Sequence, residues 1–171
     1  MRRARDTVRM TYTPYRTIAF GWSDTQGSCD VRISASGAGR GRVVIDRTPG
    51  TMFLIALGSD RRAHGDDRIP GTLGGVAPGG LFSRRGWPGD ALRTDGQRTG
   101  CRLWLLADAK QTDATRLAAV QHADEAVSQI AGDHGHDYTV SAVWTARGRL
   151  QVTATGLGTV VSTPVAVGSG S

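Results

Sequence analysis

Two common residues are almost missing from this chain. Lysine occurs once, as Lys110, and glutamate once, as Glu125, although the chain carries 21 cations and 15 acids. Arginine supplies the other cations and aspartate the other acids. Arg, Asp, Gly and Ala share GC-rich codons, and the arginines are spread through every segment. That distribution reads as the coding bias of a GC-rich genome. Guanidinium forks selected to grip phosphate or carboxylate are the alternative.

Cysteine is also scarce. Cys29 and Cys101, far apart, do not make a disulfide framework. They read as two core thiols, with a single bridge as the alternative. Long apolar runs are missing too. The longest, MFLIAL at 52–57, is too short to span a bilayer. The basic start is not followed by the apolar stretch of a secretory signal. The expectation is a cytoplasmic or virion-type protein with no membrane contact. No glycine loop precedes the lone lysine, which excludes a P-loop NTPase, and no G-x-S-x-G is present.

What is present suits one domain of ordinary size in 171 residues. Its 24 glycines add turns rather than core. Residues 1–16 form a basic N-terminal arm, 17–167 a single domain, and 168–171 a flexible tail. The net charge of +6 is uneven. The opening MRRARDTVR carries four Arg against Asp6, and Met10 is an alternative start that would remove it. Residues 61–102 are basic and 108–137 acidic. A dipolar chain of this kind can self-associate or bind a polyanion.

The first third reads as strands. Thr17–Trp22 is a short apolar run. In Cys29–Ala35, Cys29, Val31, Ile33 and Ala35 alternate with polar residues, as in a half-buried strand. Gly37–Gly41 is a hairpin turn, Val43–Asp46 the returning strand, and Thr51–Leu57 a buried strand. Residues 59–100 are irregular and hold ten glycines and three prolines. A stretch of this length is either functional or a floppy insertion. Cys101–Ala107 reads as a strand.

Thr112–Ala131 is the clear amphipathic helix. Leu117, Val120, Ala123, Val127 and Ile130 form its stripe, Thr112 its N-cap and Gly132 its stop. Tyr138–Thr145, Arg149–Thr155 and Thr159–Val167 follow as strands, with Pro164 confining the last to an edge. The fold class is therefore α+β: a mostly antiparallel sheet, open barrel or sandwich, with one helix (112–131) and a long irregular loop (59–100).

Three motifs could carry chemistry. GDHGHDY (132–138) sets His134 and His136 two residues apart, with Asp137 beside them, as in some metal sites. Glycines and aspartates at a helix-to-strand junction explain it equally, and no cofactor is expected. HGDDR (64–68) gives His64, Asp66 and Asp67 as catalytic candidates if the chain is an enzyme, while Asp124-Glu125 reads as a solvated helix face. FSRRGWPGD offers Arg84, Arg85 and Trp87 as partner-binding residues, together with Arg2, Arg3 and Arg5 of the arm. No catalytic signature emerges. The leading expectation is a non-catalytic assembly protein of the phage-particle or protein-shell type, a homo-oligomer or one subunit among others. The alternatives are a small enzyme or ligand-binding module with 59–100 as lid, and a nucleic-acid binder acting through its basic arm.

Overall fold

The computed structural model describes residues 14–23, 25, 27–72, 76, 79–80 and 82–168. Its class is α+β, with short antiparallel ribbons, two α-helices, two 3-10 helices and an open antiparallel sheet.

Three two-stranded ribbons come first. β1 (Thr17–Ile18) pairs with β6 (Ile45–Asp46), β2 (Phe20–Ser23) with β3 (Ser28–Val31), and β4 (Ile33–Gly37) with β5 (Arg40–Val43). The expected continuous strand 29–35 is broken at Arg32, and Cys29, Ile33 and Ala35 are exposed rather than inward. A two-stranded ribbon has no second layer, so its alternation defines an apolar face without supplying a core to cover it. The 37–41 turn is a hairpin as expected, with Ala38 and Gly39 both at positive φ, the geometry of a type I′ turn.

The expected strand at 51–57 is instead α1 (Gly50–Gly58). A run of apolar residues does not distinguish a buried strand from a buried helix. The preceding residues settle it here. Asp46 accepts from the backbone N–H groups of Thr48 and Thr51 and from both hydroxyls, satisfying a free donor of the first helical turn. Thr51 Oγ1 lies 3.0 Å from Ile18 O as well as from Asp46 Oδ2, so its one proton is shared between them and ties the helix to β1. Burial raises the Asp46 pKa, but these hydrogen bonds outweigh it and hold the carboxyl below its ordinary value.

The expected strand at 101–107 is a 3-10 helix, Arg102–Asp108. With three residues per turn, Leu103 and Leu106 fall on one face, and both are buried. α2 (Asp113–His134) is the expected helix, extended by three residues. Thr112 caps it by accepting from Thr115 N–H at 3.1 Å. The stop is Gly135, not Gly132: Gly135 adopts φ 68°, the left-handed conformation that glycine takes without strain. The expected stripe holds at Ala123 and Val127, which are buried, and at Val120 and Ile130, which pack against the core. The buried face is wider and excludes Leu117: it is Thr115, Ala119, Ala123, Ala126, Val127 and Ala131. These small side chains let α2 lie close against its neighbours.

β7 (Tyr138–Ala146), β8 (Arg149–Gly156) and β9 (Thr159–Ala166) form the sheet in the order β7-β8-β9. Leu150, Val152 and Ala154 of the central strand are fully buried with Phe53 of α1 and Val127 of α2. Pro164 lies on the edge strand, where its missing N–H costs no ladder bond. Among the described residues no helix is long and apolar enough to cross a membrane.

Candidate functional site

The densest polar cluster joins the long loop to α2. Arg102 begins its 3-10 helix between two carboxylates. Its Nη1 donates to both oxygens of Asp67 at 2.8 and 2.9 Å, and its Nε and Nη2 donate to Glu125 Oε2 at 3.0 and 2.8 Å. Arg61, 5% exposed, lies 3.6 Å from Glu125 Oε1, with His64 Nε2 at 3.7 Å from the same oxygen. With its amide oxygen toward Arg61, Gln129 accepts from both terminal nitrogens at 3.2 and 2.8 Å. The loop backbone is pinned alongside. Arg61 N–H donates to Cys101 O, Cys101 N–H to Ser59 O, and Trp104 Nε1 to Arg61 O.

The electrostatics follow from this packing. Burial raises the Asp67 pKa, but hydrogen bonds from Arg102 and from His64 N–H outweigh it, so the carboxyl lies below its ordinary value. Burial alone would lower Arg102, yet its two carboxylate partners raise it. His122, on the adjoining turn of α2, is pushed down by burial and then by the charge of Arg102. Burial pushes the Cys101 thiol up to about 12, and its Sγ donates to His122 O at 3.0 Å. A thiol held protonated is a packed group, not a nucleophile. Asp67, held ionised, is poorly suited to act as a general acid. The cluster works as a strut fastening residues 59–67 and 101–104 to the helix.

The HGDDR candidates therefore divide. Asp67 and His64 belong to the cluster, whereas Asp66 is exposed beside it. Glu125 is not on a solvated face: it is the central carboxylate. Arg61 and Arg102 are not marked by any sequence motif, while His122, beside the apolar stripe of the helix, reads as a solvated or partly packed histidine and is the packed one. The useful signal was the chain's only glutamate set in an alanine-rich helix, because composition gives it no reason to be there.

GDHGHDY is the helix-to-strand junction, and it has a specific occupant. Tyr15, fully buried, stacks on His134 with ring centroids 3.7 Å apart, and its Oη lies 2.5 Å from His136 Nε2. His136 Nδ1 lies 2.8 Å from Asp137 O, which can only accept. Nδ1 thus carries the proton and Nε2 accepts from Tyr15. The two histidines hold the segment that leads into β1. Asp137 is exposed, and among the described residues no group of three His, Cys, Asp or Glu is placed to hold a metal.

The loop candidates are largely committed to their own chain. Arg84 donates to the carbonyls of His64 and Gly65. Arg85 pairs with Asp60 at 2.6 Å and lies 4.6 Å over the Trp104 ring. Trp87 remains exposed, as do Phe82 and Leu92. Trp87 and Phe82, with Arg62, Arg85 and Arg98, line an open cleft of about 380 Å³. A short 3-10 helix, Pro88–Leu92, interrupts the otherwise irregular stretch, and Asp90 accepts from Thr99 N–H across it. Arg2, Arg3 and Arg5 lie outside the described residues. Cys29 is exposed and Cys101 buried, and both are free thiols.

Compared with known proteins, residues 49–161 match the family described as Phage protein GP46. The match runs from the residue before α1 into β9 and takes in the whole of the Arg102 cluster. The ribbons at 17–46 precede it. No curated protein matches the chain.

Proposed function

This chain belongs to the Phage protein GP46 family, and from that premise we propose that it is a non-catalytic structural subunit of a phage particle that makes its contacts through its ribbons and long loop. One observation carries the reading: where the large exposed apolar side chains fall. Of the fifteen among the described residues, Ile18, Phe20, Ile33, Val43 and Ile45 lie on the ribbons and Val76, Phe82, Trp87 and Leu92 in the loop, while the other six are spread over α1, α2 and the sheet. Isolated apolar residues at a surface need no explanation, but concentrations of them are what a subunit with neighbours presents. The Arg102 cluster supports the same reading. Its charges are spent on one another, and they give the loop a rigid base from which Trp87 projects. Aromatic residues of this kind commonly anchor protein interfaces.

The neighbours are other copies of the chain or other subunits of the particle. The test is composition. Particles of the encoding phage, purified through a density gradient and analysed by quantitative mass spectrometry, contain this chain at a fixed ratio to the other subunits. Its absence from intact particles would overturn the proposal.

A further inference from the structure

Three stretches of the long loop meet around one cleft. Backbone bonds set them side by side: Ala63 N–H donates to Arg84 O at 3.0 Å, and Thr99 N–H donates to Asp90 Oδ1 at 3.0 Å. Residues 61–63, 82–91 and 97–99 therefore converge. Arg62, Arg85, Arg98, Phe82 and Trp87 line the cleft of about 380 Å³ between them. Two glycines permit the close packing. A Cβ built on Gly86 would lie 2.6 Å from Arg62 Cβ, so Arg62 stands against this turn only because position 86 has no side chain. A Cβ on Gly89 would lie 2.3 Å from the Trp87 ring, so the indole is seated on bare backbone. Arg85 sits at φ 46°, in the left-handed region that strains an arginine. Its ion pair with Asp60 and its place over Trp104 hold it there.

The charges of this cleft are unevenly engaged. The acid in its lining, Asp90, accepts from Thr99 N–H, and Arg85 is neutralised by Asp60. Arg62 and Arg98 are exposed and join no ion pair among the described residues. In the same lining Phe82 is 75% exposed and Trp87 56%. Two unengaged guanidinium groups beside two exposed rings match carboxylates that accompany a large apolar side chain.

We propose that the cleft docks a short acidic segment of a different subunit of the particle, with a large apolar side chain against Trp87 and Phe82 and carboxylates on Arg62 and Arg98. The inference rests on the particle-subunit reading above and names its contact. A nucleic-acid strand fits less well. Its phosphates would meet Asp90 in the cleft and find Arg85 already neutralised, and two free cations make a short row for a polyanion. A second copy of the chain does not supply the segment. Acids flanking one large apolar residue stand two to four positions apart. In this sequence only Asp133 and Asp137 do so, and between them are His134, Gly135 and His136. Both histidines are engaged by Tyr15.

The test uses the full-length chain, supplied from a plasmid to a phage genome lacking the gene. Arg62→Glu with Arg98→Glu reverses the unengaged charges, and Trp87→Ala removes the aromatic surface. All three residues are exposed, so thermal unfolding should match wild type. Incorporation into gradient-purified particles should fall by about tenfold or more in each variant. In an otherwise wild-type chain carrying Phe82→p-benzoylphenylalanine, photocrosslinking in the particle should map to an Asp- or Glu-flanked apolar residue of another gene product. Replacing those acids by arginine in the partner should restore incorporation of the charge-reversed chain, which a merely structural role of Arg62 and Arg98 would not do. Incorporation of either variant at the wild-type level overturns the proposal. A crosslink to nucleic acid, to a second copy or within the same chain also overturns it. If wild type itself is absent from particles, the subunit reading falls and this inference with it.

Discussion

Tyr15 donates its hydroxyl hydrogen bond to His136 across a separation of 121 residues, with Oη and Nε2 2.5 Å apart. The bond fastens the segment leading into the ribbons to the far end of α2. Tyr15→Phe keeps the ring and the stack on His134 but leaves Nε2 without this donor. The expected loss is about 1–2 kcal/mol. Tyr15→Ala also empties a fully buried aromatic site and should cost about 3–5 kcal/mol. Urea unfolding followed by fluorescence measures both. Equal stability of wild type and Tyr15→Ala would show that this residue anchors nothing.

Glu125 is the carboxylate shared by Arg61, Arg102 and His64. Glu125→Gln keeps the shape but leaves Arg61, 6% exposed at its side chain, without its acidic partner. Breaking a pair of this kind from one side should cost about 2–4 kcal/mol, somewhat below a fully buried pair because Glu125 is partly exposed. Limited proteolysis should then cut within 59–67 faster than in wild type. Unchanged protection there would separate the loop from the cluster.

His122 predicts a pH dependence. Burial and then the charge of Arg102 depress its folded pKa below the ordinary 6.5. As pH falls through 6.5, the unfolded chain takes up this proton before the folded one does, so stability present above 6.5 is lost down to the depressed value. The slope is at most about 1.4 kcal/mol per pH unit. His122 Nδ1 is buried without a partner, so His122→Leu strands no hydrogen bond and should remove the slope in that window. Asp67 and Asp46 act lower. Their contributions hold above 3.8 and are lost as pH falls through their depressed folded values. Asp67→Asn should flatten the later step and, by removing a carboxylate that raises His122, depress the His122 pKa further. Denaturant midpoints measured from pH 7 to pH 3 resolve the two.

Leu157 sits at φ 49° in the two-residue turn between β8 and β9, half-exposed. A branched side chain is strained there, while asparagine tolerates the conformation. Leu157→Asn should stabilise by about 1 kcal/mol and raise the melting temperature by about 2–4 °C. Calorimetry checks it, and a lower melting temperature would mean that Leu157 makes a contact worth more than the strain.

Much of the second half was legible because its signals are local. Thr112 and Asp113 mark a helix start whatever lies nearby, and the alternation of Leu150, Val152 and Ala154 marks one face of a strand. The turn at 146–148 joins its strands within a few residues. The segments misread as strands, 51–57 and 101–107, are continuous apolar runs without periodicity. Their form is set by neighbours: Asp46 completing the first turn of α1, and Leu103 and Leu106 meeting the core at a spacing of three. The helix stop moved from Gly132 to Gly135 because either glycine could terminate α2, and packing of His134 on Tyr15 accompanies the longer one.

The candidate sites show the same division. HGDDR was visible as a group of titratable residues, but its partners come from 35 residues away at Arg102 and farther still at Glu125. GDHGHDY was visible as a junction, and nothing in it announces Tyr15. By itself the sequence determined the α+β class, the α2 helix, the closing hairpins and the bounds of the long stretch, since each depends on residues a few positions apart. Only the tertiary structure decided which charges are spent on one another and which apolar residues find cover. Both depend on segments brought together by folding, and burial and pairing belong to those contacts rather than to any residue alone.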